Sequence, residues 1–345
     1  MELYSKESSD LFQLLIFLKD NLLLIQGSNS GYMKSWDLQS GSFIRTFGIR
    51  TIEPGGKKQS PSIHSGPVTV VYVHDNSNSL AFSASACELF VWSLEEGTLI
   101  KTLNDHTRPV SAICSYQFNE VVNTVKHPAV MVSGGQDSII MVYSLGDFAV
   151  KYKLDNEAGP VNDIKIPLVS LNDSKERLPV VVAACFDGSV QIWSLGSGQW
   201  LSSLHLPHGP VNAICVLPTP VPGLITGHGD GMVLMINFKT HEVLCSLDKY
   251  SGIEKKTEGI EDAVGAGSVL DVKEDDVYGM GAAVTSLDYT MYPRPMVVAS
   301  YTHPKLFIWD LNVGESETAT MLQEVLVLDL LWKDPLIAHD SDSED

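Results

Sequence analysis

The 345-residue sequence is poor in positive charge, with 23 Lys and Arg against 42 Asp and Glu and a formal net charge of −19. Such a balance repels phosphate backbones and anionic lipid surfaces unless a local basic patch overrides it. The longest basic runs are two pairs, Lys57-Lys58 and Lys255-Lys256. Nucleic acid is therefore a disfavoured ligand, and other proteins, through basic segments, fit the charge better. Cysteine is scarce as well: Cys87, Cys114, Cys185, Cys215 and Cys245 stand singly in apolar stretches, with no C-x-x-C pair. An odd set of isolated thiols reads as reduced core residues and points to a cytoplasmic address, a nuclear one remaining open. Long apolar runs are lacking too. The stretch from Leu11 to Ile25 is broken by Lys19-Asp20-Asn21, and neither half approaches the ~20 residues a bilayer span needs. Glu2, Lys6, Glu7 and Asp10 precede it, unlike the basic lead of a secretory signal. No membrane insertion is expected.

What is present is a chain with 44% hydrophobic and 19% charged residues, enough to fill a core. One unit recurs six times: a β-rich run ending in an aromatic plus a small polar residue, a tight turn, then a second strand. The runs read GYMKSWDL, ELFVWSL, SIIMVYSL, SVQIWSL, MVLMINF and KLFIWDL, with a key position at Trp36, Trp92, Tyr143, Trp193, Ile236 and Trp309. Alternation of apolar and polar residues, rich in Val, Ile, Trp and Tyr, is strand periodicity. Five residues after the key position stand Gly41, Gly97, Gly198 and Gly314, where a hairpin turn needs positive φ. A further strand pair precedes each run, as in PVSAIC then AVMVSGG ahead of Tyr143. The expectation is an all-β fold, a β-propeller of four-stranded antiparallel blades, because radial stacking is how such repeated sheets bury their faces.

These residues resemble the WD-repeat family, whose blades close their third strand with a Trp-Asp dipeptide. Trp36-Asp37 and Trp309-Asp310 match literally, Trp92-Ser93, Trp193-Ser194 and Tyr143-Ser144 are relaxed versions, and Ile236-Asn237 is a weak one. The resemblance covers about residues 11 to 338. It implies an aspartate six residues before the tryptophan, matched by Asp137, Asp187 and Asp230. It also implies a histidine before the first strand, matched by His64, His106 and His208, and a second-strand hydroxyl, matched by Ser133 and Thr226. A structural set of His106, Ser133, Asp137 and Tyr143 follows, echoed by His208, Thr226 and Asp230 in the fifth copy and by Asp187 and Trp193 in the fourth.

His106, Asp137 and Ser133 are also the residue types of a nucleophilic triad. The same trio recurs with the blade period, however, and a catalytic site has no reason to repeat. No G-x-x-x-x-G-K-[ST], H-E-x-x-H or D-x-D-x-D-G motif occurs. The glycine-rich Gly227-His228-Gly229-Asp230-Gly231 falls on the turn that reads Cys185-Phe186-Asp187-Gly188 in the fourth copy. His228 and Asp230 lack further ligands nearby. No catalytic residue, cofactor or metal is expected.

The chain reads as a single domain over 1–345, with an acidic loop insertion at 248–281 and an acidic tail at 339–345 whose Ser341 and Ser343 are candidate phosphosites. After the sixth copy, Val325 to Trp332 reads as the first strand of a partial seventh blade. The open alternatives are a six-bladed ring with an extra strand pair outside it, or a divergent copy misparsed near the N-terminus or within 248–281. Gly48 to Ser65 and Pro167 to Pro179 read as plain surface connections, and Trp200 as an exposed outer-strand aromatic. The resemblance implies that partners meet the face carrying the residue before each turn aspartate: Gln136, Phe186 and Gly229, joined by Arg108. The function expected is a non-catalytic interaction scaffold. A substrate-recognition subunit of a larger complex, such as a ubiquitin ligase, is the alternative, though no recruiting segment is visible in the ten residues before the first strand. A propeller enzyme is the third reading.

Overall fold

The computed structural model describes residues 12–18, 23–37, 39–48, 63–74, 80–118, 121–122, 125–126, 129–169, 177–217, 223–247, 282–290, 296–302, 305–310 and 320–326. Every regular element among them is a strand, so no helix there is long and apolar enough to cross a membrane. Sheet one is β1 (Phe12–Leu18), β2 (Leu23–Ser28), β3 (Met33–Asp37) and β4 (Ser42–Thr46). Sheet two is β5 (Val70–Val73), β6 (Leu80–Ser85), β7 (Glu88–Ser93) and β8 (Leu99–Leu103). Sheet three joins β9 (Val110–Tyr116) to β12 (Val130–Gly135), β13 (Ile139–Ser144) and β14 (Val150–Asp155). A two-residue hairpin, β10 (Val121–Val122) and β11 (Val125–Lys126), interrupts it in the chain.

Sheet four is β15 (Val161–Lys165), β17 (Leu178–Cys185), β18 (Ser189–Ser194) and β19 (Trp200–His205), with β16 (Leu168–Val169) paired to the start of β17. Sheet five is β20 (Val211–Val216), β21 (Gly223–His228), β22 (Val233–Asn237) and β23 (Val243–Ser246). Sheet six is β24 (Val284–Thr290), β25 (Met296–Tyr301), β26 (Lys305–Asp310) and β27 (Thr320–Leu326). All pairings are antiparallel, and the fold is a β-propeller with six blades among the described residues. By its contacts the chain forms two compact units: sheets one to four, and sheets five and six together with the 187–190 turn of sheet four.

The repeated aromatic and its small polar neighbour divide the work of each third strand. The aromatic goes inward: Trp92, Tyr143 and Trp309 are fully buried, and Ile236 takes the same place in sheet five. The polar residue turns back to cap the hairpin. Asp37 Oδ1 accepts from Gln39 N at 2.8 Å, Ser93 Oγ from Glu96 N at 3.2 Å, Ser194 Oγ from Ser197 N at 3.3 Å and Asn237 Oδ1 from Lys239 N at 2.9 Å. Such a cap satisfies turn amides that the ladder cannot reach. The position five after the aromatic is left-handed in each of the first five sheets: Gly41 (φ 68°), Gly97 (68°) and Gly198 (71°), but Phe148 (57°) and His241 (62°) where glycine is missing. Gly314 lies outside the described residues.

Within each unit, consecutive sheets pack face to face. In unit one, Ile25, Met33 and Phe47 of sheet one meet Val71, Phe90 and Trp92 of sheet two. Val91 and Leu103 of sheet two share a core with Met131 and Tyr143 of sheet three. Val132, Val142 and Leu154 then pack on Val181, Ala183 and Trp193 of sheet four. In unit two, Ile225 and Val233 meet Val284, Val297 and Trp309. Polar side chains fasten these seams at both margins. On the first strands, Thr69 Oγ1 donates to the Val110 carbonyl at 3.2 Å, Ser111 Oγ to that of Val161, and Asn212 Nδ2 to that of Val284 at 3.0 Å. On the outer strands, Arg45 donates to the Glu95 carbonyl and the Tyr152 hydroxyl to that of Gly196 at 2.6 Å. Each such bond contributes on the order of 1 kcal/mol net.

Two sequence expectations need adjustment. Val325 and Leu326, read as the start of a seventh blade, lie in β27, the outer strand of sheet six, opposite Leu306 and Lys305; residues 327 to 345 are outside the described set. Pro167 to Pro179 is not a plain connection, because Leu168 and Val169 extend the sheet against Pro179 and Leu178. The β10–β11 hairpin was not anticipated, its strands being too short for periodicity to register. The 248–281 insertion also lies outside the described residues.

Candidate functional site

One end of the sheets carries the turns between second and third strands together with the loops that precede the first strands. The turn aspartates act first as local caps: Asp137 Oδ1 accepts from Ile139 N at 3.2 Å, Asp187 Oδ1 from Ser189 N at 2.8 Å and Asp230 Oδ1 from Met232 N at 3.0 Å. The following residue is left-handed, as Ser138 (φ 63°), Gly188 (89°) and Gly231 (89°). The residue before each aspartate is tied to the loop of its own sheet, with Gln136 N donating to Pro109 O at 2.8 Å, Phe186 N to Pro160 O at 2.9 Å and Gly229 N to Pro210 O at 2.9 Å. The turns of the first four sheets are further bonded to the next sheet's loop. Val68 N donates to Ser28 O at 3.0 Å, Val110 N to Ala86 O at 2.9 Å and Asn156 N to Ser138 O at 2.9 Å in unit one, and Leu206 N to Gly188 O at 3.1 Å in unit two. The backbone of this end is therefore pre-organised, with its polar groups largely consumed.

Arg108 and Gln136 meet in sheet three, where Gln136 N reaches the carbonyl next to Arg108, and both side chains are exposed. Phe186, in sheet four of the same unit, is 58% exposed. Gly229 belongs to unit two and is half-buried. Ser341 and Ser343 lie outside the described residues.

Beneath the turns, histidine networks differ from sheet to sheet. In sheet three His106 Nδ1 donates to Asp137 Oδ2 at 3.0 Å, and His106 Nε2 accepts from Ser133 Oγ at 2.8 Å. Burial opposes the Asp137 charge, but the Thr107 N–H and His106 outweigh it and hold the carboxyl below its ordinary range. Burial, and then Asp105, push the Tyr143 hydroxyl well above the usual phenol range. In sheet two the hydroxyl is Ser83, which the sequence did not single out. Trp92 Nε1 donates to Ser83 Oγ at 2.8 Å, Ser83 bonds His64 Nε2 at 2.7 Å, and His64 Nδ1 donates to the Gly31 carbonyl of sheet one at 2.7 Å. Sheet one replaces the hydroxyl by an amide: Trp36 Nε1 donates to Gln26 Oε1 at 3.0 Å.

Sheets four and five depart from the expected set. Asp187 meets no histidine; Asn156 stands in that place and donates to Gly159 O at 2.8 Å and Cys185 Sγ at 3.2 Å. Trp193 is buried. In sheet five His208 Nδ1 and Asp230 Oδ2 are 3.0 Å apart, yet Thr226 does not reach His208. Its hydroxyl bonds His228 Nε2 at 3.0 Å, and His228 Nδ1 faces the Gly209 carbonyl at 3.5 Å. His228, fully buried, has taken the place that spacing assigned to His208. Burial lowers the tendency of both His64 and His228 to take a proton.

The sheet-three trio has triad distances but not triad access. Ser133 is fully buried and the His106 side chain has no exposed surface, so no substrate carbonyl can approach the hydroxyl. Among the described residues no three His, Cys, Asp or Glu side chains are grouped to hold a metal ion.

The family model for the WD domain, G-beta repeat, matches residues 97–144, the segment ending on sheet three's Tyr143-Ser144. Among solved structures the chain is similar to the crystal structure of RRP9 WD40 repeats, at 13% identity and a TM-score of 0.66, over 93% of this chain and 82% of that one. It is similar to the structure of U3-55K at the same identity, TM-score and coverage of this chain, over 83% of that one. Identity this low speaks for the fold.

Proposed function

We propose that this chain, a divergent WD-repeat protein, is a non-catalytic interaction scaffold whose protein partners dock on the turn-bearing end of its sheets. The observation that carries the reading is the hydrogen-bonded run of turns and loops in unit one, which presents Arg108, Gln136 and Phe186 outward on a rigid backbone. A surface fixed in advance loses little conformational freedom on binding, and an exposed aromatic is a common energetic anchor. The net charge of −19 favours partners that offer basic segments. The polar groups that could do chemistry in sheet three are spent on holding the sheet together. One of the solved structures it resembles is that of the RRP9 WD40 repeats, in keeping with an interaction role.

The test uses the full chain as bait in extract of its own cells, comparing wild type with a Phe186→Ala, Gln136→Ala double variant and with Trp200→Ala, 58% exposed on the outer strand β19. Partner recovery falling with the turn variant and persisting with the outer-strand variant supports the reading. Equal recovery from all three baits overturns the assignment of the surface.

A further inference from the structure

Sheet five holds a histidine released from structural work. In sheets two and three both ring nitrogens of His64 and His106 are engaged, and both residues are buried. In sheet five His228 takes the Thr226 hydroxyl from within the second strand, and Ile236 offers no polar group where sheets two and three have Trp92 and Tyr143. His208 is left at the surface, its side chain 30% exposed beside an Asp230 side chain 45% exposed. Its Nδ1 donates to Asp230 Oδ2 at 3.0 Å. Since a carboxylate only accepts, the neutral ring carries its proton on Nδ1 and leaves Nε2 as a lone-pair acceptor. Among the described residues nothing bonds that Nε2.

We propose that His208 is a partner-contact residue whose Nε2 accepts a hydrogen bond from a Lys or Arg side chain of a docked basic segment, and that protonation of the imidazole releases it. The inference rests on the scaffold reading above. Asp230, adjacent and charged, favours a cationic donor and disfavours an anionic group. The groups facing the ring set the direction of the switch. Asp230 lies on Nδ1, the His228 ring centroid is 5.6 Å away, and the turn carrying Asp187 packs against the same loop through Gly188 O and Leu206 N at 3.1 Å. From sheet six, Tyr301 donates to Gly231 O at 3.3 Å. His228 is kept neutral by burial, with His208 opposing its charge further. A protonated Nε2 presents a donor to a donor, and the contact is lost.

Full-length wild type and His208→Gln are charged with extract at about pH 7.5 and washed at about pH 7.5 or 5.5, a window spanning imidazole titration. Glutamine keeps a carbonyl acceptor that does not titrate, and the Thr226–His228 bond beneath is untouched. The expected result is a partner retained about five-fold less by wild type at the lower pH, the worth of one hydrogen bond, and equally at both by the variant. Partners held by wild type equally at both pH values, or lost from both baits alike, overturn the inference and leave the scaffold reading standing. No partner at either pH overturns both. As a second measurement, diethyl pyrocarbonate should modify His208 of the free chain and spare His106 and His228; a protected His208 refutes the exposed acceptor.

Discussion

Ser83 and Ser85 sit two residues apart on β6, both fully buried, and differ in one respect. Ser83 accepts from Trp92 Nε1 at 2.8 Å and bonds His64 Nε2 at 2.7 Å, whereas Ser85 Oγ has no hydrogen-bond partner among the described residues. Ser83→Ala therefore removes two bonds and leaves the indole N–H and an imidazole nitrogen orphaned in the core. Each orphan costs about 1–3 kcal/mol, so the expected loss is about 2–6 kcal/mol. Ser85→Ala removes a buried polar group that already lacks a partner, and its effect should be neutral or stabilising by up to about 1 kcal/mol. Urea unfolding of both variants, followed by circular dichroism and tryptophan fluorescence, measures the difference. Stabilities within about 0.5 kcal/mol of each other would refute the claim that hydrogen-bond satisfaction, rather than burial of a hydroxyl, holds sheet two together.

Thr226→Val should cost about 1–3 kcal/mol by orphaning His228 Nε2, while His208→Gln should change stability by less than about 0.5; the reverse order in urea midpoints would restore His208 to the buried network. His241→Gly should stabilise by about 0.5–1 kcal/mol by relieving a left-handed side chain. Gly97→Ala, at φ 68° with a Cβ that would lie 2.7 Å from Arg45 Cδ, should destabilise by more than about 1 kcal/mol; thermal melts of the two variants decide. His64 and His228 resist protonation more in the folded chain than at the ordinary value of 6.5. The unfolded chain then binds more protons below that value, so stability must fall as pH drops through it. Asp137, held below its ordinary range, adds a loss at still lower pH. Urea midpoints flat or rising from about pH 7.5 to 5.5 would contradict the assignment.

The third strands were legible because two signals coincide in one short run: strand alternation, and an aromatic followed by a residue able to cap the next turn. The turn end was legible for the same reason, since Asp137, Asp187 and Asp230 cap their own turns whether or not a histidine answers them. Ser83 escaped because the sheet-two turn is one residue shorter. Ala84 pairs with Leu89, whereas Gly134 pairs with Ile140, so Ser83 stands nine residues before Trp92 where Ser133 stands ten before Tyr143. The exchange of His208 for His228 was hidden by a spacing rule that cannot tell two histidines reaching for one threonine. Which one wins is decided by burial: His228 sits on the second strand itself, and His208 in a loop. Phe148 and His241 were invisible as turn residues because their left-handed backbone is imposed by the hairpin rather than favoured by the side chain.

The central claim is that this acidic propeller works by holding other proteins. It is tested most directly by affinity purification of the full chain from its own cells at low and moderate salt, with quantitative mass spectrometry of what is retained. The account predicts a reproducible set of partners, rich in basic segments and weakened at moderate salt. Recovery of the chain alone at both salt concentrations would contradict it.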